Sequence, residues 1–73
     1  MADTVCIKLG KRIRTLRLEK RLTQEELADR SGISTKYLQS LESKTPKTAS
    51  VVTLEKLAKG LEVPLWEILK FKA

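Results

Sequence analysis

Apolar residues recur along this chain with a helical period, and short polar connectors interrupt the pattern. From Val5 to about Lys20, Leu9, Ile13 and Leu16 lie three or four positions apart with charged residues between them, which predicts a first amphipathic helix. Val5 or Cys6 extends its apolar face by a turn, while Ile7 and Leu18 fall off the stripe and are expected to be exposed or set against a partner. Leu27 and Ala28 mark the inner face of a second, shorter helix, and Leu38 and Leu41 that of a third. Leu54, Leu57, Ala58 and Leu61 give a fourth. Leu65, Ile68 and Leu69, flanked by Trp66 and Phe71, give a fifth. There is no internal repeat, low-complexity tract or heptad run. The expectation is an all-α chain of five helices forming one domain over residues 1–73, with residues 1–4 frayed.

The helix starts are marked by capping residues. Thr23 followed by Glu26 has the reciprocal spacing of a capping box, and Leu22 and Leu27 are placed to staple that start. Ser34 is the next candidate cap, with Ile33 and Leu38 as its staple. Between the two starts, Gly32 is where the chain most needs a positive φ. Two stapled starts eleven residues apart around a glycine define a helix-turn-helix. Pro46 marks the polar connector over residues 43–49, Ser50 caps the fourth helix, and Pro64 suits the first position of the fifth.

The third helix carries the candidate chemistry. Thr35, Lys36, Gln39 and Ser40 fall opposite Leu38 and Leu41, and these short or polar side chains suit base edges in a major groove. Charge sharpens that reading. The formal net charge is +6, and residues 1–22 alone hold seven basic against two acidic side chains, a balance of +5. By itself a basic helix is more often a solvated face; beside a helix-turn-helix it points to a polyanion.

Composition excludes other classes. The chain has no histidine and a single cysteine, Cys6, so it offers no internal disulfide, no zinc cluster and no nucleophile-and-base constellation. No enzyme, metal site, cofactor or small-molecule substrate is expected. No stretch approaches the ~20 apolar residues of a membrane span, so a cytoplasmic location is expected. At 73 residues the fold must rely on close helix packing, dimerisation or both.

These features together resemble the lambda-repressor/Cro-like (XRE-like) helix-turn-helix domains, over roughly Leu9 to Leu69. The likeness is carried by Gly10–Arg17, Leu22–Ala28, Gly32–Ser34, Tyr37-Leu38, Leu41-Glu42, and the Leu54, Leu57-Ala58, Leu61, Val63 pattern. The length looks like that of restriction–modification controller proteins. The resemblance implies a five-helix DNA-binding domain with helices 2 and 3 as the helix-turn-helix. It implies a transcriptional regulator that binds a palindromic double-stranded operator as a homodimer, with RNA polymerase a candidate further partner. It puts base reading on Thr35, Lys36, Gln39 and Ser40, and phosphate contact on Gln24. Ser34, Tyr37, Arg12, Lys44 and Lys47 are further phosphate candidates. It also implies an Arg17–Glu42 ion pair. Leu65, Trp66, Leu69 and Phe71 are the candidate dimer surface, with Trp66 balanced between interface and core. The alternative is an antitoxin-like regulator whose terminal helix covers a toxin. Two positions depart from the family pattern. Ser43-Lys44 and Glu62 stand where glycine is usual, so Glu62 is either strained or the helix ends differently.

Overall fold

The structure is a computed structural model that describes residues 4–71. Five helices follow in order: α1 (Thr4–Glu19), α2 (Gln24–Ser31), α3 (Thr35–Leu41), α4 (Val51–Leu61) and α5 (Leu65–Ile68). Thr4 already lies in α1, so the expected fraying does not reach it; residues 1–3 lie outside the described residues. Pro64 caps α5 from one position outside it, with φ −68° and ψ 154°. The ring fixes φ at a value that suits either place, but the extended ψ puts it before the first helical residue.

Every helix contributes to one core. Ile13, Leu27, Leu38, Leu57, Leu61 and Ile68 are the largest fully buried side chains, so α5 is anchored despite having only four residues. Each such side chain contributes roughly 1.5–3 kcal/mol by leaving water. Leu22 and Leu27 are both buried, as the staple requires, and half-buried Ile33 packs beside buried Leu38.

Three helices end in the same way. The Leu22 N–H donates to the Arg17 carbonyl, Ile33 to Ala28 and Val63 to Ala58, each reaching back five residues. The residue before each donor is left-handed: Arg21 (φ 57°), Gly32 (φ 71°) and Glu62 (φ 58°). These are Schellman closures, each followed by an apolar residue that turns back onto the core. Glu62 is therefore left-handed, at a cost on the order of 1 kcal/mol, and Arg21 shares a geometry that its sequence context does not reveal. At Glu42 the backbone stays right-handed, so Ser43-Lys44 needs no glycine.

Gly10 sets the distance between α1 and α3. A Cβ there would overlap the Leu41 carbonyl oxygen, so the helix backbones meet without an intervening side chain.

Candidate nucleic-acid interface

The turn between α2 and α3 is held by the predicted caps. The Thr23 hydroxyl accepts from Glu26 N at 3.0 Å, and Thr23 N–H donates to Glu26 Oε1 at 2.9 Å. That backbone hydrogen bond holds the Glu26 carboxyl below its ordinary range, helped by the Thr23 hydroxyl and, more weakly, by Arg30. A carboxyl lowered by folding stabilises the fold above its unfolded pKa, and the contribution is lost as pH falls through the folded value. Acid titration should therefore show the Thr23 amide signal following Glu26 at a pH below that of an unperturbed glutamate. Ser34 caps α3 by accepting from Tyr37 N at 3.0 Å.

Because Leu38 is fully buried and Leu41 nearly so, the opposite face of α3 must look outward. Lys36 and Gln39 are exposed there, and Thr35 and Ser40 are half-buried beside them. Ser34, Lys36, Tyr37, Gln39, Ser40 and Lys47 line one open cleft of about 550 Å³. The structure thus gathers three of the four base-reading candidates with Ser34, Tyr37 and Lys47. Lys44 lines a different cleft, with residues of α1.

A polar network ties this face to α1. Arg17 grips Glu42 with two parallel bonds, Nε to Oε2 at 3.0 Å and Nη2 to Oε1 at 2.9 Å, and its Nη1 donates to the Leu22 carbonyl at 2.9 Å. The implied ion pair is therefore present, with side-chain exposures of 10% and 2%. Gln24 Nε2 donates to the same Glu42 Oε1 at 3.2 Å, which fixes the amide at the start of α2. One N–H and the carbonyl oxygen of that amide lie outside this bond.

Other candidates have partners within the fold or differ in exposure. Arg12, a phosphate candidate, is bonded to α5: Nη2 meets Glu67 Oε2 at 2.9 Å and Nε donates to the Glu67 carbonyl at 2.8 Å. Nothing local in the sequence signals a pair 55 residues apart. The Tyr37 hydroxyl donates to Thr48 O at 3.3 Å, fastening the connector to α3, and the sequence carries no sign of that bond either. Of the candidate dimer surface, Trp66 is 60% exposed and Leu69 48%. Leu65 and Phe71 are half-buried against the chain's own core. Leu18 is exposed and Ile7 half-buried. Cys6 is free and half-buried. No helix among the described residues is long and apolar enough to cross a membrane.

A short helix that shows polar side chains on one face, rests on a buried apolar face and is fixed by a capped turn to a second helix is a helix-turn-helix DNA-binding unit. The chain belongs to the helix-turn-helix family, whose model matches residues 13–68. Its relatives are regulators of transcription. It is 47% identical over 55 residues to the uncharacterized HTH-type transcriptional regulator y4dJ of Sinorhizobium fredii, covering 75% of this chain and 70% of that protein. It is 34% identical over 64 residues to the regulator SinR of Bacillus subtilis, covering 88% of this chain but 58% of SinR. Among solved structures, the restriction–modification controller protein C.AhdI of Aeromonas hydrophila superposes with a TM-score of 0.82 at 36% identity, covering 86% of this chain and 94% of that one. C.Esp1396I, solved bound to a 19 base-pair DNA duplex, superposes with a TM-score of 0.85 at 31% identity, covering 93% and 89%.

Proposed function

We propose that this chain is a cytoplasmic, homodimeric, sequence-specific DNA-binding regulator of the restriction–modification controller type, acting on a palindromic operator and not as an enzyme. The observation that carries the reading is the outward polar face of α3, held rigidly by Leu38 and Leu41 beneath it. Support for the controller type comes from the near-full coverage of both chains in those superpositions, whereas only 58% of SinR is matched. The antitoxin alternative is not favoured, because the matched relatives are regulators and controller proteins.

In this reading α3 enters the major groove of each half-site, and a two-fold dimer places the two helices about one helical turn, ~34 Å, apart. Lys36 and Gln39 reach base edges, with Thr35 and Ser40 beside them. Gln24 uses its remaining amide capacity on a phosphate, and Ser34, Tyr37 and Lys47 border the same groove. RNA polymerase would be a further partner at a promoter. Lys36→Ala or Gln39→Ala should cost about 1–3 kcal/mol of discrimination between a preferred and a scrambled duplex, while Gln24→Ala weakens both alike. Binding isotherms on a duplex selected from a random pool check this. Equal losses on both duplexes for Lys36→Ala and Gln39→Ala would remove base reading from α3.

The second copy is assigned to the exposed Trp66–Leu69 face of α5. Trp66 and Leu69 are too apolar to be left in water without cost. Sedimentation should show a dimer that Trp66→Asp converts to a monomer of unchanged helicity. A wild-type monomer at micromolar concentration would rule out the paired-half-site arrangement.

A further inference from the structure

The cations that crowd the first third of the sequence are not equivalent in space. Arg17 is spent on Glu42 and Arg12 on Glu67. Lys11 and Arg14 of α1 instead meet Lys44, just beyond α3, across a cleft of about 390 Å³ whose walls include Ile7, Glu42 and Ser43. All three cations are exposed, and among the described residues none is paired with a carboxylate. The Glu42 carboxylate in this cleft cannot serve them, because its side chain is 2% exposed and gripped by Arg17. Nor are they needed to close the end of α3. The Leu38 carbonyl already accepts from Glu42 N, and the Ser40 carbonyl accepts from both Ser43 N and Ser43 Oγ. Three like charges facing one opening repel unless an anion lies between them.

We infer that this α1–α3 cleft is a seat for phosphodiester groups of the DNA backbone, with Lys11, Arg14 and Lys44 as its ligands. The occupant is DNA because one short connector links this cleft to the recognition cleft. That connector lines this cleft with Ser43 and Lys44 and the recognition cleft with Lys47. A backbone bordering the groove that α3 enters would pass from one to the other. Half-buried Ile7 is the main apolar residue here, too little for an amphipathic peptide to anchor on. The inference rests on α3 being the DNA-facing helix. It adds a contact that strengthens binding to all sequences without reading any of them.

The test uses the full chain and the duplex selected from a random pool, with a scrambled duplex beside it. Lys11→Gln, Arg14→Gln and Lys44→Gln are combined, and Lys59→Gln on α4 controls for one lost charge. Fluorescence anisotropy across a salt series gives the slope of log K against log salt. The triple variant should bind both duplexes about tenfold more weakly and flatten the slope by about 0.9 for each phosphate given up, with the ratio between duplexes unchanged. The slope should fall further per charge removed than it does for Lys59→Gln. A slope equal to wild type, or a change per charge equal to that of the control, would overturn the seat. A lowered melting temperature would then assign the cations to the fold, and unchanged melting would leave them to an acidic protein segment. Loss of duplex preference in the wild type would instead defeat the reading of α3, and the salt slope on any duplex would still decide the cleft.

Discussion

Replacing Glu42 with alanine should destabilise the fold by about 3–5 kcal/mol, the usual consequence of leaving one member of a buried ion pair alone. A domain of this size has roughly 4–11 kcal/mol in total, at about 0.05–0.15 kcal/mol per residue, so much of the protein would unfold at its working temperature. The size follows from the environment of Arg17. Its side chain is 10% exposed, and two of its three hydrogen bonds go to Glu42. Without the carboxylate, a guanidinium remains in the interior with only the Leu22 carbonyl for company. The double variant Arg17→Met/Glu42→Leu should recover most of the loss, because no unpaired charge remains. It should not recover all of it, since the Leu22 carbonyl loses its donor at a cost of about 1 kcal/mol. Urea unfolding of the single and double variants checks both statements. By contrast, Arg12 and Glu67 keep side-chain exposures of 20% and 25%, so solvent screens that pair and its loss should cost about 1 kcal/mol or less.

The recovered double variant also isolates a functional consequence. Glu42 Oε1 receives the Gln24 amide as well as Arg17. With leucine at 42 the amide is no longer held, and affinity should fall on every duplex alike even though the fold is restored.

Gly10→Ala is the second large effect. In an exposed helix the change would gain up to ~1 kcal/mol from propensity. Here the new methyl group would meet the Leu41 carbonyl, and backbone cannot move aside as the end of a side chain can. α1 and α3 would have to separate, at a cost of about 1–3 kcal/mol or more, and the Arg17–Glu42 grip spans the same junction. The variant should melt well below wild type and bind DNA more weakly, since α3 would shift on its support. A melting temperature at or above that of wild type would mean that the helices do not approach so closely. Gly60→Ala should be milder, because its methyl group would meet mainly the Ser31 hydroxyl and Leu27 side chain.

These effects mark where sequence patterns inform and where they stop. Caps, staples and the apolar stripe are local, set by residues within four or five positions of one another, and all five helices were legible from them. The outward face of α3 followed from the same periodicity, because burying Leu38 and Leu41 leaves Lys36 and Gln39 nowhere else to point. Tertiary pairings were not legible. Arg12 looked like any other cation on α1 until the fold brought Glu67 to it. Tyr37 lines the recognition cleft, but the bond from its hydroxyl to Thr48 O has no sign in the sequence. Arg21 has no glycine-like signature, and its left-handed backbone is imposed by the need to turn Leu22 into the core. The resemblance supplied the Arg17–Glu42 pair, which spacing alone could not.

The central claim is that α3 reads DNA with its outer face, and amide chemical-shift mapping of the labelled protein titrated with its selected duplex tests it most directly. The account predicts the largest changes at Thr35, Lys36, Gln39 and Ser40, with Gln24 moving alongside and α4 largely still. Changes centred on α4 and α5, with the α3 amides unmoved at saturation, would contradict it.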